Sequence, residues 1–310
     1  MYTISFENKV LQLKDEIRLS QIIEDEHKLF PVARVNNRLR ELSYKFGYDA
    51  NVELLELNHP EAVHVYEASL RYLIAMAFHN VYPNYQIKFK YSVSRSIFCY
   101  IVNDLEADID AILEKITTEM KRLIDLDLPF TRTTESSDNA LRFYKENNYQ
   151  DRIDILTYRP EKTVHFYMCD GYQNYMYSYM VPSTGYLKAF KMFPYDIGFL
   201  IQYPRAEANK QIPIFKDAPK YIDTLRKASI WADVVEADTI ANFNKHVEKN
   251  SVLEFVHMCE AKHNAMLTEI GELIKEREKD IRLIAIAGPS SSGKTTFSNR
   301  LRIELMTRGI

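Results

Sequence analysis

Leu283-Ile284-Ala285-Ile286-Ala287-Gly288-Pro289-Ser290-Ser291-Ser292-Gly293-Lys294-Thr295 is an apolar run that breaks into a polar loop bounded by glycines. Leu283 to Ala287 has the composition of a strand buried on both faces of a parallel sheet. Gly288 to Thr295 has the form G, four residues, G-K-[ST], and Thr296 to Leu305 reads as a helix. Strand, loop and helix in that order make a phosphate-binding unit. Gly288 and Gly293 let the backbone curl so that the N–H groups of Ser290, Ser291 and Ser292 converge, and the helix adds its free N–H groups and positive dipole end. Lys294 is the candidate catalytic residue, a point charge for the β/γ-phosphates. Thr295 is the candidate Mg²⁺ ligand through its hydroxyl, and Thr296 serves a phosphate oxygen. The expected cofactors are therefore ATP and Mg²⁺. Only 15 residues follow Thr295. An acceptor site, a group orienting the nucleophile and a second metal carboxylate would have to lie beyond them. The sequence is read as truncated, and no phosphoryl transfer is expected of it as it stands.

Upstream, Ile240 to Asp280 is helical and highly charged, with Phe243, Val247, Leu253, Val256, Met266, Leu267, Ile270 and Ile274 as apolar contacts and Lys275 to Lys279 as a solvated end. Residues 1 to 57 read as two hairpins around a short helix. Tyr2 to Phe6 and Val10 to Leu13 flank a turn at Glu7-Asn8-Lys9. Leu19 to Glu26 is helical, Val32 to Val35 and Arg38 to Leu42 flank Asn36-Asn37, and Val52 to Leu57 closes the sheet. In the middle region, helices are predicted at Ala62 to His79, Asp108 to Leu123 and Ser137 to Glu146 from apolar steps of three and four. Strands are predicted at Ile87 to Tyr91, Ile97 to Val102, Ile153 to Thr157, Thr163 to Met168 and Phe199 to Tyr203. The class is α+β.

The 310 residues are 46% hydrophobic and 27% charged, with a formal net charge of -3, which excludes a global positive field for nucleic acid. Three scattered cysteines make no disulfide framework. MYTISFENKV is no signal peptide, and no apolar run has the length of a membrane span, so a cytoplasmic protein without a membrane partner is expected.

Ile284 to Leu301 (IAIAGPSSSGKTTFSNRL) resembles the uridine kinase family of nucleoside kinases. The resemblance implies transfer of the ATP γ-phosphoryl to the 5′-hydroxyl of a nucleoside substrate. Val35-Asn36-Asn37-Arg38-Leu39 and Val181 to Lys191 (VPSTGYLKAFK) resemble the amino-terminal half of threonyl-tRNA synthetase. That resemblance implies a TGS-like β-grasp domain at 1–57 and a second additional domain at 58–235. A helical connector at 236–280 and the first strand, loop and helix of a kinase domain at 281–310 would follow. The combination resembles a bacterial nucleoside-kinase fusion. The synthetase family edits mischarged tRNA with an H-x-x-x-H and a C-x-x-x-H element. Here those elements fall at His64 with Ala68 and at Met176 with Met180, so the resemblance implies the fold without the metal, and no structural zinc is expected.

Other candidates read as structural. His64 is a surface or packed histidine, Cys169 beside Asp170 a buried thiol at a strand end, and Cys259 with His263 a pair lacking a third ligand. Asp104, Glu106, Asp108 and Asp110 are a solvated approach to a helix. Tyr167, Tyr172, Tyr175, Tyr177 and Tyr179 either pack as one strand face or line a ligand groove with Arg205. No Arg or Lys interleaves from 163 to 187, before Lys188. A second reading is an RNA-binding or regulatory protein whose loop drives a switch. RNA is then a partner of residues 1 to 235, and a homo-oligomer is a candidate assembly.

Overall fold

The computed structural model describes all residues except Asn8, Glu24 and Asn250. The turn residue Asn8 and part of the Leu19 to Glu26 helix thus lie outside the described residues. The chain divides into two compact units, Met1–Lys227 and Ala228–Ile310.

In the first unit, β1 (Tyr2–Phe6) and β2 (Lys9–Leu13) form an antiparallel hairpin. β3 (Ile17–Arg18) leads into α1 (Leu19–Ile22), a single turn shorter than the helix expected. β4 (Val32–Val35) and β5 (Arg38–Arg40) form the second hairpin. Asn36 and Asn37 both take positive φ, 48° and 62°, which a two-residue hairpin turn demands and asparagine tolerates. β6 (Lys45–Phe46) pairs with β3, and β7 (Ala50–Leu55) completes a five-stranded sheet in the order β2-β1-β7-β4-β5. β1 and β7 run parallel. Ile4, Leu19, Val35, Phe46 and Val52 fill the core beside this sheet.

α2 (Pro60–Val81) follows, with the His59 ring accepting the Glu61 N–H at 3.2 Å and Pro60 in the first turn, where no N–H is needed. Val65, Tyr66, Ser69, Tyr72, Leu73 and Met76 are all buried, so this helix lies inside the main core rather than on it. β8 (Ile87–Val93) and β9 (Ser96–Ile101) pair, and α3 (Ile109–Asp125) buries Ile112, Ile116, Met120 and Leu123 against α2. β10 (Thr131–Ser136), α4 (Ser137–Glu146), α5 (Gln150–Leu156), β11 (Thr163–Cys169) and β12 (Tyr172–Tyr175) come next. β10, β11 and β12 form one antiparallel sheet, and β13 (Lys191–Tyr195) and β14 (Gly198–Gln202) complete another, β13-β14-β9-β8.

Three sequence expectations need correction in this unit. The strand at Ile153 to Thr157 is helix α5, because Ile153 and Leu156 stand three apart and both pack on the cluster of Tyr144, Val164 and Phe166. The alternating Tyr175, Tyr177 and Tyr179 are not one strand. Beyond Tyr175 the backbone leaves the ladder: Met180 N–H donates to the Glu41 carboxylate at 3.0 Å and Val181 N–H to the Ser69 hydroxyl at 2.9 Å. Finally, α6 (Pro219–Val234) forms where no element was assigned, its residues from Ala228 onward belonging to the second unit.

The second unit holds α7 (Ile240–Glu248), α8 (Val252–Glu276) and α9 (Lys294–Thr307). α9 packs on α8 where Gly271 permits close approach; a β-carbon there would stand 2.8 Å from Arg308 Nε and 2.9 Å from Glu304 Cγ. Arg300 reaches back to His263 Nδ1 at 2.6 Å and to Asn264 Oδ1, and Arg308 donates to the Thr268 carbonyl at 3.0 Å. Leu283 to Ala287 is not a strand. Leu283 is 84% exposed, and no described strand pairs with the run. A strand is held by a ladder partner, and none is present for this run among the described residues.

Candidate functional site

Gly288 to Thr296 is an exposed loop entering α9. Gly293 caps the helix with φ +80° and Ser291 has φ +59°, so the loop uses the left-handed region twice. A β-carbon at Gly288 would lie 2.8 Å from Ser292 Oγ and 3.5 Å from Lys294 Cγ, so the loop closes back on its own start. No side chain caps α9, and among the described residues no backbone N–H from Ser290 to Thr296 has a protein acceptor. Lys294 folds across the loop, its Nζ donating to the Pro289 carbonyl, and Ser298 Oγ donates to the Lys294 carbonyl at 2.8 Å. Unpaired N–H groups at a helix start, beside an ammonium that rests on a carbonyl, fit a phosphate. For the metal the fit is partial. Thr295 is exposed, and among the described residues no group of three or more His, Cys, Asp or Glu side chains converges to hold an ion.

In the first unit, His64 is exposed on α2 with its ring 5.8 Å from that of Tyr177, and Met180 is buried. Cys169 is buried, and burial, with Asp170 beside it, pushes its thiol up to about 12, so it carries no thiolate at neutral pH. Asp104 accepts from the Tyr85 hydroxyl at 3.2 Å and Asp108 caps α3 through Ala111 N–H at 3.2 Å, so both act locally. In the second unit, His263 is engaged by Arg300, as described above, rather than by a metal partner of Cys259.

The tyrosine group divides. Tyr167 and Tyr172 are core: the Tyr72 hydroxyl meets their carbonyls at 3.0 and 2.7 Å, and Tyr167 donates its own hydroxyl to buried Glu41. Burial and the adjacent Glu41 charge push the Tyr167 phenol up, so it stays a donor. Tyr179 is different. The Arg132 guanidinium lies 5.3 Å from its ring centroid, and Arg40 Nη1 donates to its hydroxyl at 3.3 Å. Arg40 also lies over Tyr44 at 4.8 Å. His165, paired across the ladder with Thr134 and bonded to its Oγ1 at 3.0 Å, extends the same patch. Its imidazole is held below the ordinary value by burial and by Arg132 and Arg159. The structure therefore supplies the cations that the 163–187 segment lacks, from β5 and β10. Arg205 serves elsewhere, its Nη1 donating to the Tyr203 hydroxyl at 2.8 Å.

Comparison with known proteins gives a partial likeness. The threonine--tRNA ligase of Fusobacterium nucleatum is 29% identical over 164 residues, covering 52% of this chain and 26% of the ligase. That of Carboxydothermus hydrogenoformans is 30% identical over 164 residues, with 52% and 25% covered. That of Clostridium novyi is 24% identical over 194 residues, with 60% and 30% covered. No family model matches the chain. The chain thus has distant, partial homology to a region of threonine--tRNA ligases and spans about a quarter of the length of the first of them. Nothing in these comparisons supports the kinase resemblance of Ile284 to Leu301. Among the described residues no helix is long and apolar enough to cross a membrane.

Proposed function

We propose that the first unit is an RNA-associated module of synthetase-like ancestry, joined to a nucleotide-responsive loop at Gly288 to Thr295. The likeness to threonine--tRNA ligases supports it, and the observation that carries it is the stacking of Arg132 and Arg40 on Tyr179 and Tyr44. Guanidinium planes among tyrosines offer both phosphate contacts and surfaces for unstacked bases. On this reading residues 1–57 are a TGS-like β-grasp domain, 58–235 a second additional domain, 236–280 a connector and 281–310 the start of a P-loop domain. Ala68, Met176 and Met180 at the ligand positions make the module a binder without metal-linked hydrolysis. The test is titration of the 310-residue chain with tRNA over a salt series. Affinity should fall steeply with salt, and Arg132→Ala should flatten the slope by about one phosphate contact. Absence of binding at low salt would sink the reading.

A second reading is favoured by one feature, the G-x₄-G-K-T loop itself. In it the whole protein is an ATP-dependent nucleoside kinase using Mg²⁺, with uridine as the first substrate to try. A chain extended past Ile310 should phosphorylate uridine, and Lys294→Ala should abolish transfer while leaving the fold intact. Nucleotide retention without any transfer would count against it.

A further inference from the structure

A cavity of about 620 Å³ opens in the first unit between the carboxyl-terminal half of α3 and the segment 188–193. This lies within the usual range of about 300–1,000 Å³ for sites that take a small molecule. Lys121 from α3 and Lys188 and Lys191 from the opposite wall line it. None of the three has a carboxylate or other hydrogen-bonding partner among the described residues. Asp125 is the one carboxylate in the lining, so the rim carries an excess of positive charge in a chain whose formal net charge is -3. Phe190 and Phe193 complete the lining. Phe193 leans on Phe215 in an edge-on contact at 5.3 Å, whereas Phe190 meets no other aromatic ring among the described residues.

The walls are set by buried hydroxyls. Tyr66, on α2, accepts the Ala189 N–H at 3.0 Å and donates to the Ala189 carbonyl at 2.9 Å, which fixes the backbone between Lys188 and Phe190. Thr184 donates to the Leu123 carbonyl at 2.6 Å and accepts the Leu128 N–H at 2.8 Å, tying the end of α3 to the start of the facing segment. Two sides of the cavity are therefore held in place before any ligand arrives, which lowers the ordering cost of binding.

We propose that this cavity binds a nucleotide, its phosphates against Lys121, Lys188 and Lys191 and its base against the Phe190 ring. Three ammonium groups are suited to a multiply charged phosphate as point charges, and an aromatic ring in the cavity wall suits a flat base. The nucleotide has two sources of the same chemistry, a free nucleoside phosphate or a residue of a single-stranded RNA. The site is separate from Gly288 to Thr295 and does not rest on the RNA reading of the Arg132 patch.

The test is calorimetric titration of the 310-residue chain carrying Lys294→Ala, which silences the loop, with ADP and separately with a five-nucleotide single-stranded RNA. At least one probe should bind. Binding of ADP identifies the free nucleotide as ligand, and binding of the oligonucleotide alone identifies the strand. Lys188→Ala with Lys191→Ala should weaken that binding about ten-fold or more, with the urea midpoint unchanged because both side chains are exposed. Arg132→Ala should leave ADP binding unaltered, and in the Arg132→Ala background oligonucleotide binding should persist and stay sensitive to the double lysine variant, which separates this site from the proposed RNA patch. The proposal is overturned if neither probe binds at millimolar concentration, if the double lysine variant binds as before, or if Arg132→Ala by itself abolishes all binding.

Discussion

His165 shows how a single side chain reports the charge around it. Burial first, then Arg132 and Arg159, hold its imidazole below the ordinary value of 6.5. Below that value the unfolded chain binds a proton that the folded chain refuses, so acidification through this window destabilises the fold, and the loss levels off once both states are protonated. Above 6.5 the group is neutral in both states and contributes nothing to the pH dependence. Arg132→Ala should move the imidazole titration upward, as followed by the ring-proton shift in NMR. An unchanged titration would refute the electrostatic link between β10 and β11. Cysteine chemistry is equally local. Cys99 and Cys169 are buried with their thiols pushed up by desolvation, whereas Cys259 is partly exposed. One thiol per folded chain should therefore react readily with an aromatic disulfide reagent, and three after unfolding. Rapid reaction of Cys169 would revive a nucleophilic role for it.

At the scale of elements, glycine positions separate two kinds of cost. A β-carbon at Gly198, at the start of β14, would press on the Cys99 carbonyl and stand 2.9 Å from Tyr100 Cα, so backbone would have to move. Gly198→Ala should cost about 1–3 kcal/mol by overpacking, read from urea unfolding. Gly171, in the turn between β11 and β12, has φ +80° with nothing within 4 Å of a β-carbon, so Gly171→Ala pays only the conformational strain, about 1 kcal/mol. Equal losses at the two sites would contradict the packing of β14 on β9. Most elements were legible in the sequence where one face alone is buried. α3 repeats Ile112, Ile116 and Met120 at steps of four, and α4 starts at its Ser136 cap and ends at Asn147 and Asn148. Illegible were elements whose pattern is set from outside. Thr131 to Ser136 is polar throughout and becomes β10 only because β11 pairs along its length. Ile153 and Ile155 favour a strand by their branching, yet the packing of Ile153 and Leu156 makes α5. The candidate surfaces were hidden for a related reason: Arg40 and Tyr179 are 139 residues apart, and neither segment alone carries both partners.

Across the molecule, Glu41 links the β1–β7 region to the rest of the first unit. It accepts from the Tyr167 hydroxyl and from Met180 N–H while itself buried. Glu41→Ala would leave two buried donors unsatisfied, at a cost of about 1–3 kcal/mol each. The loss should appear as a lower urea midpoint with an unchanged slope if the first unit unfolds as one body. A new early transition would mean instead that residues 1–57 melt alone. The division of the chain also offers a direct means of following its two units separately. All 21 tyrosines lie between Tyr2 and Tyr221, within the first unit, and the single tryptophan, Trp231, lies in the second. The two units thus carry different fluorophores by composition alone. Indole emission follows Ala228–Ile310, and phenol absorbance follows Met1–Lys227, without any label. Overlaying the two signals during denaturation shows whether the units unfold in one transition or in two.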